Sequence, residues 1–135
     1  MTDKELISLA FEAMGRAYAP YSLHKVGAAL LSQSGKVYLG CNIENAAYAP
    51  TNCAERTAFF KAVSEGETKF SKIAIVGGKN GVPTDYFYPC GVCRQVMAEF
   101  CSPNFEIITA KSENDYKKST LAEMLPYGFS ADKLK

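Results

Sequence analysis

The order in which strand and helix patterns alternate limits the possible folds of this chain most strongly. Two short apolar runs with strand character, at 72–78 and 105–111, flank a helical pattern at 91–101. A strand–helix–strand unit of this kind predicts parallel strands joined by a right-handed crossover, with helices covering a central sheet. The length of 135 residues predicts that this sheet belongs to one domain, residues 1–135.

The other elements follow from capping and turn signals. Thr2 and Glu5 have capping-box spacing and begin a helix that the apolar periodicity carries to about Tyr18. We expect Asn52 to cap a second helix and Gly66 to end it. The remaining predicted elements are strands at 26–33 and 36–43 joined as a hairpin, a helix at 53–65, a weaker strand at 116–120 and a short helix at 121–125. Together they predict an α/β fold: a three-layer α/β/α sandwich around a mixed sheet of about five strands.

Composition excludes several classes of function. With 15 basic and 14 acidic residues, the net charge of +1 provides no basic surface for a phosphate backbone, so we expect no nucleic-acid partner. The N-terminal segment lacks signal-peptide character, and no apolar run reaches the roughly 20 residues that span a bilayer. We therefore expect a cytoplasmic protein with no membrane partner. Its five cysteines should then be reduced and need another explanation, either metal binding or core packing.

Three of the cysteines stand at predicted helix N-termini. Cys53 begins the second helix, and Cys90 and Cys93 begin the third, in the motif PCGVC. Helix N-termini favour thiolates, and two helices lying side by side on a sheet would bring these thiols together. Three thiolates suffice for a zinc ion with one open position. The CxxC pair taken alone is equally compatible with a redox couple, half of a structural zinc site, or buried thiols without chemistry.

Two questions distinguish these interpretations of the cysteines: whether the sequence offers a fourth protein ligand, and whether a carboxylate lies nearby. Cys41, Cys101 and His24 are the remaining candidates for a fourth ligand, and neither of the two cysteines has ligand spacing to a partner. An open site is therefore favoured over a structural one. Glu55 lies two residues beyond Cys53, where it can approach the open position without binding the metal and can transfer a proton. The alternative for Glu55 is simple stabilisation of a helix N-terminus.

Several motifs carry a resemblance to a known family. CAE in the second helix and PCGVC before the third are similar to the signature of zinc-dependent deaminases. Together with APYSLHKVGAAL, GCNIENAAYAPTNCAERTA and LPYGF, they resemble cytidine deaminases of the small, homotetrameric type, over most of the chain from about Glu5 to Leu134. The resemblance implies one Zn²⁺ per chain and hydrolysis of cytidine and 2′-deoxycytidine to uridine and 2′-deoxyuridine with release of ammonia. It also implies a role in pyrimidine salvage and a homotetramer whose subunits share pocket residues.

The same resemblance implies roles for individual residues. Cys53, Cys90 and Cys93 would bind zinc, and Glu55 would move protons between water, the pyrimidine ring and the leaving ammonia. Arg56 would offset the charge of the thiolates, with Arg94 as a second candidate. The residues implied to contact the nucleoside are Asn42 and Glu44 at the sugar, the backbone N–H of Ala54 at the pyrimidine carbonyl, and Tyr48 and Phe129, partly from neighbouring subunits.

Two departures from the family pattern stand out. His24 occupies the position where the family usually has a phenylalanine that packs against the base, so we interpret His24 as a pocket-wall residue that alters substrate preference rather than the reaction. The loop at 78–88 is somewhat long and has no function that the sequence indicates.

Three other functions remain open. A close variant of the reaction would act on a cytosine nucleoside analogue such as the antibiotic blasticidin S. Deamination of cytosine in single-stranded DNA is disfavoured by the neutral charge and the lack of a stacking platform. A zinc-stabilised binding module without catalysis is the non-enzymatic alternative.

Overall fold

Five strands form one mixed sheet in the computed structural model, which describes all residues from Met1 to Lys135. The elements in chain order are α1 Asp3–Met14, β1 His24–Ser32, β2 Val37–Cys41, α2 Ala54–Ser64, β3 Phe70–Lys79, α3 Gly91–Phe100, β4 Glu106–Ser112, β5 Asp115–Thr120, α4 Leu121–Met124 and a final 3₁₀ helix at Ala131–Leu134. The predicted α/β class and mixed five-stranded sheet are confirmed.

The strands lie in the order β2–β1–β3–β4–β5. The pair β3–β4 is parallel, with Ile73 opposite Ile107, and the other three pairs are antiparallel. Parallel neighbours need a crossover connection, which here contains α3. The strand–helix–strand pattern therefore predicted the one parallel pair of the sheet, and the hairpin turn at Gly35, where φ is +93°, produces the antiparallel edge.

Alternation of side chains along the strands divides the core into two halves. On one face α1 buries Leu6 and Ile7 against small and branched strand residues: Ala29, Ala74, Val76, Ile108 and Ala110. On the other face α2 and α3 pack Phe59 and Met97 against the intervening strand residues: Ala28, Leu30, Ile73, Ile75 and Ile107. Because successive residues of a strand point to opposite faces, β1, β3 and β4 supply both halves, and the three-layer prediction is confirmed.

Two helix boundaries differ from the prediction. The capping box of Thr2 and Glu5 is present, but α1 ends at Met14 rather than near Tyr18. Tyr18 instead donates its backbone N–H to the carbonyl of Asn42, because the chain leaves the helix to pair with the segment after β2. The N-cap of α2 is Cys53 and not Asn52, whose amide donates to the Thr57 hydroxyl at 3.1 Å. Gly66 follows the end of α2 with φ of +96°, as predicted for a helix stop.

None of the helices combines the length and the apolar character needed to cross a lipid bilayer.

Candidate metal centre and active site

The thiol of Cys53 stands at the N-terminus of α2. Cys53 is the N-cap residue with extended backbone angles, and its side chain makes no capping hydrogen bond. The sulfur is therefore available to a partner outside the helix. The positive end of the α2 dipole lies beside it and favours its ionised form.

The two other thiols belong to the N-terminus of α3. Cys90 is the N-cap, and its sulfur accepts a hydrogen bond from the backbone N–H of Cys93 at 3.5 Å. Cys93 follows three residues later on the same side of the helix, and only 1% of it is exposed. The CxxC spacing thus presents two sulfurs from one helix turn toward α2.

The three sulfurs form a compact triangle. Cys90 Sγ lies 3.8 Å from Cys53 Sγ and 3.5 Å from Cys93 Sγ, and all three lie within 4.8 Å of one another. Tetrahedral zinc with Zn–S bonds of about 2.3 Å places its sulfur ligands roughly 3.8 Å apart. The donor set and its spacing therefore fit zinc with three protein ligands. Cys41, Cys101 and His24 are not members of the cluster, so these three ligands leave the fourth coordination position open.

The pKa values of Cys53 and Cys93 are shifted in opposite directions. The hydrogen bond from Cys93, with others from Arg56 and Cys90, lowers the pKa of Cys53 to about 5. The pKa of Cys93 is raised by its hydrogen bond to Cys53, by burial and by the charge of Glu55. Ionisation of Cys53 thus disfavours ionisation of Cys93, and a bound divalent cation would stabilise both thiolates.

Arg56 provides a positive charge from the protein itself. Its Nη2 donates to Cys53 Sγ at 3.3 Å, and this contact is the main cause of its raised pKa. The Nε atom of Arg56 is buried without a hydrogen-bond partner. Arg94 behaves differently from the prediction. It donates to the carbonyls of Pro89 and Met124, both at 2.7 Å, and thereby joins the start of α3 to α4.

Glu55 is a buried carboxyl beside this cluster. It lies in the first turn of α2 and is 4% exposed. Burial raises its pKa to about 7, and the nearby charge of Cys53 contributes to the increase. A carboxyl that can be protonated or ionised near neutrality is suited to accept and return a proton.

A cavity of about 250 Å³ joins the cluster to other predicted site residues. Its lining includes Cys53, Ala54, Glu55 and Cys90 together with Asn42 and Glu44. As expected from their spacing, Asn42 and Glu44 face the same cavity. The sequence did not indicate the other lining residues: Val26, Thr51, Asn52, Ile75, Phe87 and Tyr88.

Asn42 and Glu44 are both held by backbone groups. The Asn42 amide accepts from the Val26 N–H at 2.9 Å and donates to the His24 carbonyl at 2.8 Å. Glu44 accepts from the N–H groups of Tyr21 and Ser22 at 3.0 Å, and from the Ser22 hydroxyl. The hydroxyl bond is the main cause of the lowered pKa of Glu44, which therefore stays ionised. Both side chains are consequently fixed in position before any ligand arrives.

Three predicted residues do not line this cavity within the chain. Tyr48 is 73% exposed and packs edge-on against Tyr21, and Phe129 is 56% exposed near the C-terminus. His24 is exposed at the start of β1, with Nδ1 2.8 Å from the Ser22 carbonyl. Its ring lies against Phe87, which does line the cavity. The sequence predicted that His24 is a pocket-wall residue, whereas the structure places it outside the lining, against the Phe87 ring.

The fold is an α/β sandwich that brings three thiols together at two adjacent helix N-termini. A buried carboxyl lies beside the open coordination position. These features define a zinc-binding protein that can transfer protons. The family model described as the cytidine and deoxycytidylate deaminase zinc-binding region matches residues 1–109. The chain belongs to this family, and its cofactor is zinc.

Individual proteins of known name are similar to almost the whole chain. A cytidine deaminase of Sporosarcina psychrophila is 47% identical over 134 residues, which cover 99% of this chain and 96% of that protein. The crystal structure of cytidine deaminase from Burkholderia pseudomallei superimposes with a TM-score of 0.88 at 44% identity, covering 96% of this chain and 100% of that one. A blasticidin-S deaminase of Bacillus cereus is less similar, at 29% identity over 132 residues, covering 95% of this chain and 92% of that protein.

Proposed function

We propose that this chain catalyses the zinc-dependent hydrolytic deamination of cytidine and 2′-deoxycytidine to uridine and 2′-deoxyuridine, with release of ammonia. The observation that carries the proposal is a cluster of three thiols, two of which, Cys53 and Cys90, line one cavity together with the buried carboxyl of Glu55. The 47% identity to a cytidine deaminase over nearly the whole chain supports the choice of nucleoside.

Cys53, Cys90 and Cys93 hold the metal in this proposal. Zinc bound to them supplies a water molecule whose pKa is lowered toward neutrality as the nucleophile for C4 of the pyrimidine. Arg56 donates to Cys53 and offsets part of the negative charge of three thiolates, which would otherwise leave a net charge of about −1. This compensation keeps the metal an effective Lewis acid.

Glu55 moves the protons. Its carboxylate accepts a proton from the attacking water and passes it to the ring nitrogen next to C4. It then takes the second proton of that water and delivers it to the amino group, which leaves as ammonia. The carboxylate ends in its initial state, so one water is consumed for each ammonia released. The pKa of about 7 suits a group that must both accept and donate.

The nucleoside is oriented by groups that are already in place. We assign the ribose hydroxyls to Asn42 and Glu44, which retain unused hydrogen-bonding capacity beyond their backbone contacts. The N–H of Ala54, the first residue of α2, has no partner within its helix and meets the pyrimidine carbonyl. His24 acts indirectly, through the Phe87 ring beside it.

Tyr48 and Phe129 act in the pocket of a neighbouring subunit, and the protein is a homotetramer in this proposal. Both rings are more than half exposed and lie outside the cavity of their own chain, which supports a role across an interface. We propose that residues 1–135 form one catalytic domain, because both halves of the core share one sheet. Five free cysteines support a reducing, cytoplasmic location, and the proposed reaction would act in pyrimidine salvage.

The test is turnover of cytidine by purified protein, followed as loss of the cytosine absorbance, with ammonia measured on the same sample. Equal amounts of ammonia and uridine are expected. Cytidine inert while blasticidin S is deaminated would move the assignment to the nucleoside analogue. Activity confined to cytosine in single-stranded DNA would overturn the choice of free nucleoside, and no activity on any of the three would favour a zinc-stabilised binding module.

A further inference from the structure

The loop between β3 and α3 is anchored to the start of β1. A Cβ atom added at Gly78 would lie 1.8 Å from the Val82 carbonyl oxygen, so the loop folds back directly onto the strand that it leaves. The N–H of Asn80 donates to the Leu23 carbonyl at 2.6 Å. The loop thus has a defined position next to His24 and the mouth of the cavity.

This loop delivers Phe87 to the cavity wall. The Phe87 ring is half-buried and lines the same cavity as Glu55, together with the apolar side chains of Val26 and Ile75. On its other side lies the His24 ring, with ring centroids 6.1 Å apart and planes inclined by 33°. The Phe87 ring therefore lines the cavity together with the polar side chains of Asn42 and Glu44, and the neighbouring Tyr88 lines it as well.

The backbone beneath the ring is adapted to it. A Cβ atom added at Gly77 would lie 2.7 Å from Cδ2 and 2.9 Å from Cγ of Phe87. Such distances are shorter than any normal contact, so only glycine at this buried position leaves the ring where it is. The placement of Phe87 is thus determined by strand β3 as well as by the loop.

The preceding aromatic residue has a different environment. The Tyr86 hydroxyl donates to Asp115, and its ring lies 4.6 Å from Lys111 Nζ and 4.5 Å from Lys117 Nζ. Tyr86 is not part of the cavity lining. The two neighbouring rings of one loop therefore serve separate purposes, and Tyr86 attaches the loop to β4 and β5.

We propose that Phe87 is a substrate-binding residue whose ring packs against the pyrimidine of the bound nucleoside, and that Gly77 preserves the space for that ring. The inference rests on the proposed function, since it concerns the substrate of the same site. A flat apolar ring in contact with a flat base provides affinity without adding a hydrogen bond, while the polar groups of the cavity orient the sugar and the reacting atoms.

The test compares Phe87→Ala with Tyr86→Ala from the same loop. Loss of one aromatic–base contact should raise the KM for cytidine and the Kd for the product uridine about 10-fold, with kcat changed less than about threefold. Phe87→Leu, which retains bulk without the aromatic ring, should give an intermediate increase and provides the result if Phe87→Ala is unstable. Tyr86→Ala removes a ring that lies outside the cavity lining and should change both constants much less than Phe87→Ala does.

Gly77→Ala tests the link between ring and strand. It should raise KM in the presence of Phe87, because the new Cβ displaces the ring, and should have less effect in the Gly77→Ala/Phe87→Ala double variant, where no ring is left to displace. Unchanged KM and uridine Kd in Phe87→Ala or Phe87→Leu, or equal effects of Gly77→Ala in both backgrounds, would overturn the inference. Absence of cytidine turnover in the unsubstituted protein would instead contradict the proposed function.

Discussion

Gly40 is where the sheet comes closest to the helix that carries Cys53 and Glu55. A Cβ atom added there would lie 2.3 Å from the carbonyl oxygen of Ala54 and 2.5 Å from the backbone N of Ala58. Ordinary contact begins at 3.4 Å, so Gly40→Ala requires a displacement of about 1 Å between β2 and α2. Both close atoms are backbone atoms, which cannot move aside as a flexible side chain would.

The displacement falls on the first turns of α2, which position Cys53 and Glu55 relative to α3. A misplacement of about 1 Å at a catalytic group can cost about 100-fold in rate. We expect Gly40→Ala to lower kcat/KM for cytidine by about 100-fold and to reduce zinc affinity, together with an overpacking cost of about 1–3 kcal/mol in the free energy of unfolding. The assays are initial rates, zinc per chain and chemical denaturation.

Gly27→Ala is the matched control on the opposite face. Its Cβ would lie 2.1 Å from the Ala10 carbonyl oxygen and 2.4 Å from the Met14 backbone N, in α1, which carries none of the proposed site residues. A comparable loss of unfolding free energy is expected, with full zinc content and kcat changed less than about threefold. The reasoning is refuted if Gly40→Ala retains wild-type kcat/KM, or if Gly27→Ala loses zinc to the same extent.

Three further predictions concern charge and metal. Arg56→Gln keeps a hydrogen-bond donor but removes the positive charge next to Cys53. It should weaken zinc affinity about 10–100-fold, measured by competition with a chelator. Unchanged affinity would show that the arginine does not compensate the negative charge of the thiolates. Removal of zinc by a chelator should abolish turnover and make the exposed Cys90 react rapidly with a thiol reagent. Added zinc should reverse both effects. Persistence of turnover in metal-free protein would contradict the open-site assignment. The hydrogen bond from Lys72, with another from Lys118, lowers the pKa of Asp3. The ionised carboxylate therefore stabilises the fold above its unfolded pKa of about 4. This stabilisation is lost as pH falls through the lower folded pKa. Asp3→Asn should therefore cost about 1 kcal/mol of unfolding free energy at pH 7 and progressively less as pH falls below about 4; a difference that does not shrink with falling pH would contradict the ion-pair explanation.

Local sequence signals predicted the features that depend on interactions between residues close together in the sequence. The capping box of Thr2 and Glu5, the turn at Gly35 and the alternation of apolar residues in β3 and β4 were sufficient for the elements and the layers. The start of α3 at Gly91 placed Cys90 and Cys93 on one helix turn. The convergence with Cys53 followed because helices that cover one face of a sheet must lie side by side.

Contacts that depend on the register of distant segments were not predictable in this way. The Asn42 amide makes hydrogen bonds to the backbone of Val26 and His24. These groups come close to Asn42 only because β1 pairs with the segment after β2. Arg94 follows a zinc ligand in sequence, yet its side chain reaches the carbonyl of Met124, 30 residues away. Phe87 comes from a loop without a periodic pattern, so no local signal indicated that it faces the cavity.

The central claim is that Cys53, Cys90 and Cys93 hold zinc while Glu55 performs the proton transfer. The most direct test measures zinc per chain and cytidine turnover on the same samples of the unsubstituted protein and of Glu55→Gln. The account predicts about one zinc per chain in both proteins, turnover in the first, and a loss of at least 100-fold in the second. Zinc in both proteins with equal turnover would contradict it, because Glu55 would then only support the start of α2.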